Sequence, residues 1–323
     1  MDRPLYSYTA TQRRTTRSRL GVVFALAALF ATTLAARAQG GPPFRTDDPD
    51  TPGNRHWEIN FGWVGDRNLA NGAYQTPDVD INYGLGSRIQ LKYEIPIAIE
   101  ETRSQAATSS DAAVAGHVIG GLGESQPGIK WRFYEHHSGD PALRGRFGTG
   151  LLALFANKPT GDATDDTEKP TDLSFSTYPQ LTLNNPTRSV ARGVDAAGPN
   201  FFLPLSFNAR VGPIRINGEV GYNFGNHDMA QSWVRGLLVG HEFSDSTEAY
   251  AEIFDQQDAN RVHADDTKAR ETTLGLGGRQ ALNRAHTLNL LLMGGRSFQT
   301  VAATNTQPSW IAYVGVQVLF GPK

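Results

Sequence analysis

The 323-residue chain contains no cysteine. That absence excludes a disulfide scaffold, thiol catalysis and a Cys-ligated metal. Beyond residue 38 there is also no apolar run near the roughly 18 residues a membrane helix requires, which excludes a helical membrane protein. Helix periodicity is scarce in the same region. The first 38 residues carry Arg3, Arg13, Arg14, Arg17, Arg19 and Arg37 against Asp2 alone, then an uncharged apolar run from Leu20 to Ala36. With the small-residue site Ala36-Arg37-Ala38, this reads as a cleavable secretory signal over residues 1–38. The remainder has 24 basic and 31 acidic side chains, a net charge of −7. A chain lacking a basic surplus is not expected to bind nucleic acid, because phosphate contacts need one.

What the chain does have is alternation. From His56 onward apolar residues fall at every second position in stretches of about ten, the period of a β-strand. Trp57, Ile59, Phe61 and Trp63 oppose Glu58, Asn60 and Gly62; Ile89, Leu91, Tyr93, Ile95 and Ile97 oppose Arg88, Gln90, Lys92, Glu94 and Pro96. Ile129, Trp131 and Phe133 oppose Lys130, Arg132 and Tyr134, and Trp310 to Phe320 repeats the rhythm. Twelve such strands are expected, including residues 75–84, 147–158, 201–211, 214–224 and 232–243. The connections alternate in length: short turns such as Gly84 to Ser87 and Gly212-Pro213 alternate with longer polar segments. An even strand count with that parity predicts an all-β, up-and-down antiparallel transmembrane β-barrel.

In this reading residues 39–55 form a periplasmic irregular lead, residues 56–323 the barrel, and residues 99–127 and 159–199 two long outer loops. Aromatic residues fall near both strand ends, as girdles at two lipid interfaces would. Pro77, Pro96, Pro159 and Pro204 are read as bulges at the outer rim.

Several short motifs carry a family likeness. Pro42-Pro43-Phe44-Arg45-Thr46-Asp47-Asp48-Pro49 resembles the opening of the MetA-pathway phenol-degradation family, transporter-like outer-membrane proteins of Gram-negative bacteria. His56-Trp57-Glu58-Ile59-Asn60, Asn82-Tyr83-Gly84-Leu85, Gly128 to Phe133, Lys158 to Asp162 and Phe202-Leu203-Pro204-Leu205 are similar to the same family. The resemblance implies an outer-membrane barrel that passes small organic molecules, aromatic compounds among them. Residues 159–199 depart from it as a long insertion, and an extra β pair around Leu173 to Leu183 would raise the count to fourteen.

If the apolar face meets lipid, the other face lines the lumen, since a charge facing hydrocarbon at mid-bilayer costs about 2–4 kcal/mol. Asp78, Asp80, Arg88, Lys92, Glu94, Lys130, Arg132, Arg215 and Glu219 are therefore the lumen-lining candidates. They serve either as a polar eyelet selecting permeants or as a self-neutralising network filling a narrow bore. Tyr134, Tyr250, Phe254, Ile311, Tyr313 and Leu319 also fall on the inward parity.

Catalytic, metal and cofactor sites are not expected. His227-Asp228 and His263-Ala264-Asp265-Asp266 have a composition reminiscent of barrel proteases, yet it is also that of solvated loops. The Asp47, Asp48 and Asp50 cluster is stiffened by prolines and lacks the spacing of a Ca²⁺ loop, and adjacent His136 and His137 point apart on a strand. Gly120-Gly121-Leu122-Gly123 follows no strand-to-helix pattern that would cradle phosphate. The leading expectation is a non-enzymatic passive channel in the outer membrane, partnered by membrane lipid, the barrel-assembly machinery and a small permeant. A plugged barrel that binds through its surface loops is the second, and an outer-membrane hydrolase the third.

Overall fold

The computed structural model describes residues 42–104, 115–137, 171–194, 198–225, 231–262, 268–302 and 305–322. Within them run β1 (Trp57–Arg67), β2 (Asn71–Leu85), β3 (Ile89–Thr102), β4 (His117–Leu122), β5 (Gln126–His137), β6 (Thr171–Thr177) and β7 (Gln180–Thr182). They are followed by β8 (Asn200–Val211), β9 (Ile214–Phe224), β10 (Ser232–Ser244), β11 (Thr247–Val262), β12 (Lys268–Ala281), β13 (Leu288–Ala302) and β14 (Asn305–Phe320).

All pairings are antiparallel, and β1 bonds both β2 and β14, with Trp57 opposite Phe320 and Arg67 opposite Trp310. The sheet thus closes on itself through β1, β2, β3, β5, β6 and β8 to β14, a ring of twelve places. Closure satisfies the backbone N–H and C=O groups that a free edge would leave unpaired, which is what permits strands to stand in hydrocarbon. No described helix is long and apolar enough to cross a membrane.

The other two strands are continuations. Residues 89–94 of β3 pair with β5, and residues 97–102 pair with β4. Residues 205–209 of β8 pair with β6, and residues 200–202 with β7. Each division falls at a proline: Pro96 lies between the two paired stretches of β3, and Pro204 lies next to the division on β8. Proline has no N–H to give the ladder, so the neighbouring strand breaks opposite it. Thr177 Oγ1 spans one break by donating to the Pro204 carbonyl at 2.8 Å. These two prolines therefore divide the partner strand instead of shaping the rim. Pro77 does sit at an irregularity, the register shift between Gln75 and Asp78; Pro159 lies outside the described residues.

Expected strand 147–158 also lies outside the described residues. The ring's fifth place is filled by β6 and β7, so residues 171–182 belong to the wall and not to an outer loop. Segment 99–127 likewise supplies β4 and the end of β3. Ser174 and Ser176, both fully buried, alternate there with Leu173 and Phe175, in the stretch where the sequence offers an extra β pair as the alternative to a plain outer loop.

Burial is inverted relative to a water-soluble protein. Phe61 is 48% exposed while its neighbour Asn60 is 1% exposed. Trp63, Leu91, Ile129, Leu205, Trp233, Leu276, Val314 and Phe320 all face outward and exposed. At one end Trp57 stacks on Phe320 at 6.3 Å and meets Tyr83 at 4.6 Å, and Tyr222 contacts Trp233 at 4.9 Å on the far side of the ring. A cylinder with an apolar outside of this extent is built to stand in a bilayer. The enclosed apolar cluster is inside the bore: Phe44, Leu238, Tyr250, Leu291, Met293 and Tyr313.

Candidate functional site

The site is the bore, and the lead occupies it. The sequence reads residues 39–55 as an irregular periplasmic lead; within it, residues 44–50 pack against inward-facing side chains of the bore. Phe44 meets Tyr250 edge to face at 5.6 Å between ring centroids. Arg45 lies over the Phe254 ring at 4.2 Å and donates to Glu271 Oε1 at 2.6 Å. The Thr46 backbone N–H donates to Glu252 Oε1 at 2.7 Å. Lys130 Nζ bonds Asp47 Oδ1 at 2.9 Å and the Asp50 carbonyl at 3.2 Å, with Asp48 Oδ1 at 3.6 Å. Asp50 is held by Arg215 at 3.1 Å and Arg132 at 3.5 Å. An irregular segment keeps many backbone polar groups free of secondary structure, and a charged lumen offers them partners that an apolar exterior does not.

Two glycines make room. A Cβ at Gly236 would stand 2.3 Å from Thr46 Oγ1, and one at Gly84 would stand 1.7 Å from the Gly53 carbonyl oxygen. Gly84 also accepts from the Arg55 N–H at 2.8 Å, anchoring the segment where it enters β1.

Asp48 is almost fully enclosed. Burial, reinforced by neighbouring Asp50 and opposed by Lys130, raises its pKa to about 7. In the seated state Asp48 therefore holds a proton that it would lose near pH 4 in water. Its contribution to seating is fullest below about pH 4 and weakens as pH rises toward 7.

The nine lumen candidates lie on two kinds of ground. Asp78, Asp80, Lys92, Glu94, Lys130 and Glu219 border a cavity of 620 Å³. Lys92 bridges Glu94 at 2.8 Å and Asp80 at 3.5 Å, and Glu219 accepts from Ser206 at 3.2 Å. Arg88, Arg132 and Arg215 instead belong to ion-pair networks beside the segment: Arg88 to Glu135 at 2.7 Å, Arg132 to Glu135 at 3.2 Å and Asp50, Arg215 to Asp50 and Glu242. Glu242 also binds Arg210. Lys92 and Lys130 both lie over Tyr178, at 5.7 and 5.2 Å.

Arg45, Tyr178, Glu252 and Glu271 are functional-site residues that periodicity did not single out. Tyr178 sits in the break between β6 and β7, and Arg45 precedes the first strand, so neither has a parity to read. The signal for the lead was its charge: Asp47, Asp48 and Asp50 match the inward cations Lys130, Arg132 and Arg215.

One inward expectation fails. The register shifts between Arg132 and Tyr134, so Tyr134 pairs with Phe175 on the outer side, their rings 5.8 Å apart. A bulge adds one residue and reverses the facing of everything after it. Tyr250, Phe254 and Tyr313 are enclosed in the bore, and Ile311 packs on the cluster there. His227, Asp228, His263, Asp265 and Asp266 lie outside the described residues.

Neither a family model nor a curated protein matches the chain. Among solved structures, it superposes on the COG4313 outer membrane channel from Pseudomonas putida F1 with a TM-score of 0.58 and 10% identity, over 88% of this chain and 100% of that one. A KdgM porin aligns with a TM-score of 0.45 and 8% identity, over 81% of this chain and 99% of the other. At 10% identity the first likeness is one of fold: this chain shares the architecture of a solved outer-membrane β-barrel.

Proposed function

We propose that the protein is an outer-membrane channel for passive passage of small organic molecules, with residues 44–50 as a plug that sets how far the bore opens. The observation that carries this reading is the pairing of an apolar outer wall with a charged bore whose obstruction is seated by side chains and never enters the β-ladder. Strands are held by continuous backbone bonds, whereas this segment is held by separable ion pairs and one aromatic cluster. The cavity beside it, 620 Å³, falls within the roughly 300–1,000 Å³ range of small-molecule sites. Its lining mixes Phe44, Phe254, Tyr178 and Tyr313 with Arg45 and Lys92, so it offers aromatic surface together with cations. The fold shared with a solved outer membrane channel supports the same reading.

The test is single-channel conductance in a planar bilayer, paired with solute uptake into vesicles. The intact protein is expected to conduct weakly and a variant lacking residues 42–50 to conduct more. Absence of both conductance and uptake from the two proteins would replace this reading with a closed barrel that works through its surface loops.

A further inference from the structure

The outward positions of the wall are apolar along most strands, and on four consecutive strands charge interrupts them. Arg235 of β10 stands directly opposite Asp255 of β11, and their side chains meet at 3.3 Å. Arg270 of β12 donates from Nε to the other oxygen of the same carboxylate at 2.5 Å, and Thr272 Oγ1 adds a bond at 3.0 Å. One carboxylate therefore sits between two guanidiniums and uses one contact from each of their five-donor forks. Both arginine side chains remain about half exposed, 52% and 51%. On β13, Arg296 lies over the outward Trp310 at 4.2 Å, and its buried Nε has no hydrogen-bond partner.

Three cations against one anion leave this patch two charges short of neutrality. Cations facing hydrocarbon are disfavoured, and they are tolerated where interfacial aromatics mark the headgroup level. Trp233 and Trp310 mark that level here, both exposed. Below the arginines the same face continues as Leu237, Leu274 and Leu276, a surface suited to acyl chains. Guanidinium forks match phosphate oxygens in geometry and charge.

We propose that the outward faces of β10 to β13 form a docking site for the anionic phosphate of a membrane lipid headgroup, with Arg235 and Arg270 as its clamp, Arg296 as a flanking cation and Leu274 and Leu276 under the lipid chains. Asp255 takes one contact from each clamp arginine and competes with the headgroup for the rest of the two half-exposed forks. The site rests on the membrane placement of the wall and not on conduction through the bore, so each can fail separately.

The full chain, purified in neutral detergent, is titrated with bis-phosphorylated lipid A and with the same lipid after phosphate removal, and retained lipid is counted by native mass spectrometry. The intact protein should retain the phosphorylated form preferentially. The double variant R235Q/R270Q should lose that retention about tenfold, with heat-dependent gel mobility and conductance unchanged. Asp255→Asn, which removes the competing carboxylate, should raise it. Equal retention by R235Q/R270Q and intact protein overturns the site. Complete displacement of lipid by inorganic phosphate overturns the lipid assignment in favour of a soluble anion. Should the double variant not fold, Arg296→Gln supplies the same readout: a smaller loss supports the site, and no loss overturns it.

Discussion

On β10 the side chains of Leu237 and Val239 are 42% and 41% exposed, whereas Leu238 between them is fully enclosed. The three are nearly identical chemically and answer to different surroundings. Leu237 and Val239 face a solvent that is uniform and apolar, where any aliphatic side chain serves. Leu238 faces a particular partner, the cluster built around Phe44 of the lead. The outer wall is thus specified residue class by residue class, and the inner wall contact by contact. Inward charges show the same contrast: Lys130 is matched by three groups of one short segment, while Lys92 is neutralised by Glu94 and Asp80 from the wall itself.

That difference can be broken from either side. The largest effect is expected for Lys130→Ala, which strands the Asp47 carboxylate in the bore; removing one partner of a buried pair costs about 3–5 kcal/mol. Conductance should rise as the segment leaves, and urea unfolding in vesicles should record the loss. Conductance equal to that of the intact protein would mean that Lys130 does not hold the plug. Next comes Leu237→Arg on the lipid side, expected to lower unfolding free energy by about 2–4 kcal/mol with no change in single-channel current. A rise in current there would show that the two faces are not independent.

Gly236→Ala should cost about 1–3 kcal/mol, the usual range for overpacking, because its methyl group meets Thr46. The barrel should survive, shown by a heat-dependent gel shift, while limited proteolysis cuts the lead faster than in the intact protein. The mildest test leaves the sequence alone. Asp48 favours the seated state when protonated, so current should climb gradually from pH 4 to pH 7 and flatten above it. A current that falls over that range would contradict the assigned burial of Asp48.

Periodicity made the barrel legible because one face of each strand meets lipid, and lipid imposes a single rule on every residue it touches. Trp57, Ile59, Phe61 and Trp63 announce β1 without reference to any other strand. Six cavity-lining residues followed from the same parity, being whatever the lipid face excludes. Parity stopped being informative where the chain leaves the ladder or gains a residue: Tyr134 is turned outward by a bulge, and Tyr178 fills a break; β6, rich in serine and threonine, was legible only as an alternative to a loop.

The amino-acid sequence by itself determined the fold class, the antiparallel order of successive strands and the polarity of the two faces, since these depend on a two-residue rhythm that any local window contains. Only the tertiary structure decided that residues 171–182 complete the ring, that prolines split two places in the wall, and that the lead lies inside. Those outcomes depend on contacts between residues far apart in the chain, from 27 positions for Thr177 and Pro204 to 82 for Asp50 and Arg132, which no local window contains.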